Sequence, residues 1–552
     1  MNKLITLAFV LLMQLSNAQN SNYWIVLKDK KENAYSLKYP ETFLSAKALQ
    51  RREKQHISIT LSDLPVSTTY IRQISKTGVK ILNCSKWFNI ISVTTDDAKK
   101  IEAIKAFPFV KEVKLLDNSI SSAQVSKFER IEISQPVSTI EQSIQENRAL
   151  DYGPSYKQAN QIGITCMHEK GYMGEGMTIA VLDAGFLNVN TLPAFDSLIM
   201  NNRLLGTRDF VTGDTMVFED YIHGMMVLSC MAADIPGKII GTAPKANYWL
   251  LRTEDAATES LQEEMNWAVG AEFADSVGAD IINSSLGYNL FDDSTQNHTY
   301  ADLDGNTTPI TKAADIAASK GIFVTSSAGN EGSSAWQKIT APADADSILT
   351  VGAVDSLGVI GSFSSRGPSF DGRIKPNTVA RGVRTVVMNT SGTTVMSNGT
   401  SFSSPVTAGA VACLWQANNL KTNMELIDAI QKSASNYASP DSVIGYGIPD
   451  FCKANQILTG INTYKSSGNA LTVYPNPFHS GFTLLYSSPR EEMITIELVD
   501  ITGRVLKLQK QKVLAADQIK LNFAYDKELA NGVYLICIST PESILFKKII
   551  KD

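Results

Sequence analysis

Short apolar runs alternate with helix-period segments through the first hundred residues. Tyr23 to Leu27, Val79 to Leu82, Ile90 to Thr94 and Val110 to Leu115 have the length and character of strands. Ser45 to Lys54, Thr68 to Lys76 and Asp96 to Ala106 carry helical spacing between them. The mixture predicts a small α+β domain with an antiparallel sheet over residues 23–116. Residues 117–150 are polar, rich in Ser, Gln and Glu and without apolar periodicity, which predicts a linker open to proteolytic cutting.

From 151 to 457 the grammar changes. Continuous apolar runs end in small or polar residues and feed into helices: Met177 to Asp183, Asn247 to Arg252, Asp280 to Gly287, Gly321 to Asn330 and Ile348 to Val354. Strands buried on both faces read this way, so these runs predict a parallel sheet. Gly224 to Ala233, Ser260 to Ser276 and Pro309 to Lys320 supply helices between them. After a connector over 458–470, residues 471–552 alternate apolar and polar positions, as in Thr483 to Tyr486, Ile494 to Val499 and Val533 to Ile538. Turn signals at Pro475-Asn476-Pro477, Thr502-Gly503 and Asn531-Gly532 separate the runs, the pattern of a small β-sandwich.

Composition narrows the field. The 552 residues call for several domains, and 44% hydrophobic with 19% charged residues describes a core-forming protein. A net charge of -5 with no basic stripe argues against a nucleic-acid partner. Lys3, the apolar stretch Leu4 to Leu15 and Ser16-Asn17-Ala18 predict a signal peptide over 1–18. Its apolar core is shorter than the roughly 20 residues a spanning helix needs, so no transmembrane segment is expected in the mature chain. The six cysteines (Cys84, Cys166, Cys230, Cys413, Cys452 and Cys537) are scattered, with no pair at metal-ligand spacing. Cys230 and Cys413 fall in apolar helical patterns and read as buried free thiols; pairing among the others is not fixed by the sequence.

The candidate chemistry centres on Gly399-Thr400-Ser401-Phe402-Ser403-Ser404-Pro405, a serine among small residues with proline four positions on and an apolar run beyond. This predicts a nucleophile in the first turn of a buried helix, where proline's missing N–H would leave nothing unpaired. An imidazole base must come from five histidines: His56, His168, His223, His298 and His479. His56 and His479 lie in the flanking blocks, His298 in a polar loop where solvent exposure is expected, and His168 in a short helix. His223 precedes Gly224 and the apolar run Met225 to Ala233; taken alone it also reads as a capping or core histidine. Asp183 closes the strand Thr178 to Leu182, where it could act as an acid or cap the next turn. Asn330 closes another strand, and its amide is a neutral donor suited to developing negative charge.

Together these residues resemble the subtilisin-like serine proteases (subtilases), whose catalytic residues run in the order Asp, His, Ser. The matching segments are Val181-Leu182-Asp183-Ala184-Gly185, His223-Gly224-Met225-Met226-Val227, Ala328-Gly329-Asn330 and Gly399 to Pro405. Asn283 to Gly287, Gly241-Thr242-Ala243-Pro244 and Phe363 to Pro368 are also family-like. Ala184, Met225, Met226, Phe402 and Ser403 depart from the usual residues, none of them at a reacting group. The resemblance implies an α/β fold with a parallel-sheet subtilisin-like catalytic domain. It assigns Ser401 as nucleophile, His223 as base, Asp183 as the imidazole's orienting acid, and Asn330 with the Ser401 N–H as the oxyanion hole. It also implies that Ser285, Leu286 and Gly287 pair with substrate backbone, and that Ala328, Gly329 and Thr340 line the pocket for the residue before the cut. Thr340 and the lack of an acidic floor argue against a strict Lys/Arg preference.

The first block resembles the inhibitory propeptide of these proteases, with a ferredoxin-like fold. The last block resembles the type A C-terminal sorting domain of the type IX secretion system, at Val473 to Phe478, Asp500 to Val505, Gly532 to Leu535 and Lys547 to Ile550. The expected partners are protein or peptide substrates, the chain's own propeptide and the type IX machinery. Export across both membranes of a Gram-negative bacterium, to a secreted or surface-attached state, is implied. No cofactor is required; the resemblance allows a structural calcium, but Asp302-Leu303-Asp304-Gly305-Asn306 lacks the glutamate of a calcium loop. The contrasting reading is a surface binding or adhesion protein on a dead subtilase scaffold.

Overall fold

The computed structural model describes residues 20–117, 150–459, 471–488, 491–514, 518–524, 529–540 and 544–552. The expected signal peptide, nearly all of the 117–150 linker and residues 460–470 of the second connector lie outside them. The chain divides into one compact unit ending at Thr459 and a second beginning at Gly460.

The first unit opens with β1 (Ser21–Leu27), α1 (Ala46–Lys54), α2 (Thr68–Ser75), β2 (Lys80–Ser85), β3 (Ile90–Thr95), α3 (Ala98–Lys105) and β4 (Val110–Asp117). The strands form an antiparallel sheet in the order β2-β3-β1-β4, a ferredoxin-like arrangement. Strand periodicity gives this sheet two different faces. Ile25, Ile91 and Val93 pack with Tyr70, Ile74, Ile101 and Ile104 of its own helices. Trp24, Trp87, Ile90 and Leu116 instead join a core with residues beyond 180.

The unit continues with α4 (Tyr156–Gln161), α5 (Ile164–Glu169), β5 (Thr178–Asp183), α6 (Asp196–Met200), β6 (Leu204–Asp209), α7 (His223–Ala232), β7 (Asp234–Ile235), β8 (Ile239–Ile240) and β9 (Asn247–Arg252). Then come α8 (Leu261–Val277), β10 (Ile281–Ser284), α9 (Pro309–Ser319), β11 (Phe323–Ser327), β12 (Leu349–Val354) and β13 (Thr378–Arg381). It closes with β14 (Thr385–Met388), β15 (Thr394–Ser397), α10 (Thr400–Ala417), α11 (Asn423–Ser433) and α12 (Phe451–Thr459). Seven described strands make one parallel sheet, ordered β13-β12-β11-β10-β5-β9-β6. Every residue of β5 is buried. Ile179 and Val181 face a core with α7 and α10, while Ala180 and Leu182 face a core with α8 and α9. The chain moves from β5 out to β6, returns through β9 and crosses to β10. The topological switch therefore lies beside β5, where open α/β sheets place ligands.

A disulfide joins Cys166 on α5 to Cys452 on α12, 286 positions apart. Cys230 and Cys413 are buried free thiols, as expected from their helical settings.

The second unit has β16 (Leu471–Tyr474), β17 (Gly481–Ser487), β18 (Glu492–Asp500), β19 (Val505–Val513), β20 (Gln518–Ala524), β21 (Gly532–Ser539) and β22 (Ile544–Lys551). Two antiparallel sheets, β16-β17-β20 and β19-β18-β21-β22, enclose Leu484, Ile496, Leu498, Ile536, Ile538 and Ile549. It is a small β-sandwich. Among the described residues, no helix is long and apolar enough to cross a membrane.

Candidate active site

Asp183 is the last residue of β5 and His223 the first of α7. Gly224 lets the helix begin against the strand end. A Cβ there would overlap the Gly185 carbonyl oxygen and stand 2.9 Å from Asp183 Cβ. His223 Nδ1 lies 2.8 Å from Asp183 Oδ1, and the same oxygen accepts the Ala184 N–H at 2.8 Å. A carboxylate only accepts, so the imidazole carries its proton on Nδ1 and leaves Nε2 as the basic nitrogen. Both side chains are buried. Asp183 Oδ2 has no hydrogen-bond partner among the described residues, and Ala184 brings it no hydroxyl.

Ser401 is the second residue of α10, a position whose N–H has no acceptor within the helix. The proline expectation needs correction. The helix begins at Thr400, so Pro405 is its sixth residue and lies beyond the first turn. Its missing N–H would have bonded the Ser401 carbonyl. That carbonyl instead accepts the Ser285 hydroxyl at 2.9 Å, while Ser401 Oγ donates to the Ser285 carbonyl at 3.3 Å. Ser285 follows β10, the neighbour of β5, so this reciprocal pair ties the serine to the strand beside Asp183. Asn283 reinforces the tie by accepting the Ser404 hydroxyl at 2.9 Å. Phe402 is buried with its ring centroid 6.2 Å from that of His223. The sequence reading missed the Ser285 tie, although proline four residues after a helical serine was its signal.

Asn330 lies three residues beyond β11. Its Oδ1 accepts both the N–H and the hydroxyl of Thr400, each at 2.9 Å. The N–H can only donate, so the amide oxygen is turned to Thr400 and its NH2 is the end directed elsewhere. Ser285, Leu286 and Gly287 extend β10, and Ala328 and Gly329 extend β11, as two adjacent edges. Thr340 is buried behind them and donates its N–H to the Ala328 carbonyl at 3.3 Å.

The other histidines are engaged elsewhere. His168 is buried, with Nδ1 2.7 Å from the Tyr152 hydroxyl and Nε2 3.1 Å from the Thr242 carbonyl; burial pushes its pKa down. His298 departs from the expected exposure. Its side chain is 10% exposed, and Nε2 lies 2.5 Å from Oε1 of the fully buried Glu264. Burial opposes its charge, but the bond and charge of Glu264 outweigh that and hold the pKa above the ordinary histidine value. His56 is exposed, and His479 belongs to the second unit.

The residues present do not fit calcium at 302–306. Asp302 Oδ2 accepts the Thr299 N–H and hydroxyl, and Asp304 accepts the Asn306 N–H and the Thr307 hydroxyl. The loop is closed on itself. Glu254, Glu259 and Glu263 are three buried carboxylates with ligand atoms within 4.8 Å of one another. Donors already meet these carboxylates, among them the Tyr288 hydroxyl at Glu254 and the Asp255 and Ser260 N–H groups at Glu263.

A parallel α/β sheet with an aspartate closing one strand, hydrogen-bonded to a histidine that opens a helix, and a later serine tied to the neighbouring strand has the architecture of a subtilase. Comparison with known proteins agrees. Residues 174–447 match the family model described as the subtilase family. Residues 22–131 match the peptidase S8 propeptide domain of Bacteroidota, and 472–552 the secretion system C-terminal sorting domain. A subtilisin of Bacillus pumilus is 30% identical over 293 residues, covering 52% of this chain and 94% of the relative. Subtilisin E of Bacillus subtilis is 30% identical over 280 residues, covering 50% of this chain and 65% of the relative. Serine protease AprX of Bacillus subtilis is 28% identical over 303 residues, 50% of this chain and 64% of the relative. The chain belongs to the subtilase family. Its sorting domain marks it for export, to be secreted or attached at the cell surface.

Proposed function

We propose that this chain is an exported serine endopeptidase made as an autoinhibited precursor. The carrying observation is the His223–Asp183 hydrogen bond, which leaves Nε2 as base. Ser401 Oγ turns from the Ser285 carbonyl to the imidazole, loses its proton to Nε2 and attacks the scissile carbonyl; His223 then protonates the leaving amine. Asp183 fixes the tautomer and stabilises the imidazolium. The Asn330 amide and the Ser401 N–H receive the oxyanion. Ser285 to Gly287 take the substrate backbone as an added strand.

Residues 20–117 act as the intramolecular inhibitor, and the second unit engages the secretion machinery. Supporting the inhibitor role, β4 ends with Leu116 buried in the same cluster as Leu286 and Tyr288, on either side of Gly287.

The test compares the full chain with Ser401→Ala after the linker is cut, by casein cleavage and fluorophosphonate labelling. The parent should cleave and be labelled, and the variant should do neither. A parent that does neither refutes the protease reading and leaves a binding scaffold.

A further inference from the structure

The proposed pocket for the residue before the cut has a side chain standing in it. Gly287 and Gly329 lie on its two edges. A Cβ on Gly287 would overlap Thr340 Oγ1 and stand 3.2 Å from Thr340 Cβ. A Cβ on Gly329, whose φ is +103°, would stand 2.8 Å from the same Oγ1 and 3.2 Å from Thr340 Cγ2. One threonine thus reaches the space that both glycines leave open. Its hydroxyl is unusual for the site. Thr340 is 3% exposed, and its Oγ1 has no hydrogen-bond partner among the described residues. The adjacent Ser365 hydroxyl is equally buried, but it accepts the Glu331 N–H at 2.9 Å. Buried hydroxyls are normally paired, and one left unpaired at a binding site is poised for a ligand atom.

We infer that Thr340 makes this pocket shallow and hydroxyl-floored, so that the protease cuts after small residues, serine above alanine. The inference rests on the protease reading above. A large ring or a long chain would have to displace a packed threonine, and close-packed walls yield little. A serine side chain fits the remaining depth and supplies the missing partner. An alanine fits but leaves Oγ1 unpaired, and sites built to bond a hydroxyl discriminate against analogues lacking it. Thr340 is a specificity-determining residue here; it touches no reacting atom.

The test uses internally quenched peptides differing only in the residue before the cut (Gly, Ala, Ser, Leu, Phe or Lys), with products located by mass spectrometry. Active enzyme is counted by fluorophosphonate labelling of Ser401. Wild type should show kcat/KM for Ser and Ala at least tenfold above Phe, Leu and Lys, with Ser several-fold above Ala. Thr340→Gly should raise kcat/KM for Phe at least tenfold, and Thr340→Ala should raise it less. Thr340→Val keeps the bulk without the hydroxyl, so it should retain the bias against Phe and lose the advantage of Ser over Ala. A labelled wild type that prefers Phe, Leu or Lys overturns the inference alone. So does a labelled Thr340→Gly with an unchanged profile. A wild type that is not labelled overturns the protease reading and this inference with it.

Discussion

Asp275 offers a measure of what holds the propeptide domain in place. It lies on α8, and its side-chain partners all come from residues 20–117. Arg51 Nη2 is 2.6 Å from Oδ1, Arg52 Nη2 is 2.8 Å from Oδ2 and Lys86 Nζ is 3.2 Å from Oδ2. None of these side chains is more than 8% exposed. Burial opposes the charge of Asp275, but Lys86, Arg51 and Arg52 outweigh it and hold the carboxyl below its usual range. Asp275→Asn removes the charge while keeping the shape. Breaking a buried ion pair from one side costs about 3–5 kcal/mol. The cations keep other acceptors: Arg51 the Ala279 carbonyl, Arg52 the Asp63 carboxylate and Lys86 the Ser276 hydroxyl. The lower end therefore applies, and about 3 kcal/mol is roughly a 150-fold loss of affinity at about 1.4 kcal/mol per decade. The assay is the inhibition constant of added segment 20–117 against the cut, propeptide-free enzyme. The same segment meets both enzymes, so any cost of folding it cancels. Glu272→Gln is the contrast. Burial already raises the Glu272 pKa, and an amide oxygen can keep the Ser85 hydroxyl and the Trp87 N–H, which share Oε1; only the Lys86 N–H at Oε2 loses its acceptor. It should cost less than Asp275→Asn. An Asp275→Asn change within threefold, or a larger loss from Glu272→Gln, refutes the reasoning.

Asn330→Ala should lower kcat by about 10²–10³, a magnitude carried over from the equivalent donor in subtilisin rather than worked from this structure, while Ser401 labelling persists at a reduced rate. Replacing Cys166 and Cys452 with alanine should cost about 2–5 kcal/mol, because a bridge spanning 286 positions restricts a long loop in the unfolded chain; urea midpoints in a Ser401→Ala background read this, and unchanged midpoints speak against it. His298→Asn should destabilise the chain most in acid. The folded pKa of His298 is raised, so its contribution is complete below the unfolded value of about 6.5 and disappears as pH rises through the folded one. The difference in Tm from wild type should accordingly narrow between pH 6 and 9.

What the sequence made legible follows from where burial is complete. β5, β9 and β12 are dominated by apolar residues, and each was bounded to within about a residue because buried strands of a parallel sheet admit few polar interruptions. The edge strand β6, Leu-Leu-Gly-Thr-Arg-Asp, was missed for the opposite reason, its exposed positions admitting polar residues and a glycine. The four-residue β13 was too short to register, and the lysine-rich β19 and β22 hide their apolar face behind charges that suit sheet edges.

The site divides along a similar line. Asp183, His223 and Ser401 were legible because each sits at an element boundary, where a polar residue interrupts an apolar pattern; Asn330, expected to close a strand, lies in the loop three residues beyond β11. Ser285 and Thr340 were reached only through the family resemblance, because their importance lies in contacts across the sheet. The Ser285 hydroxyl meets a carbonyl freed 116 positions away by Pro405, and Thr340 fills space left by two glycines on different strands. No local periodicity encodes either contact. The propeptide interface has the same character: Arg51, Arg52 and Lys86 read locally as the polar surface of a small domain, yet each is buried against an acid more than 180 positions away. Basic residues on an apparent surface and acids within an otherwise apolar helix were the two halves of one interface. Charge that looks solvated in each segment alone is, in this precursor, what the domains share.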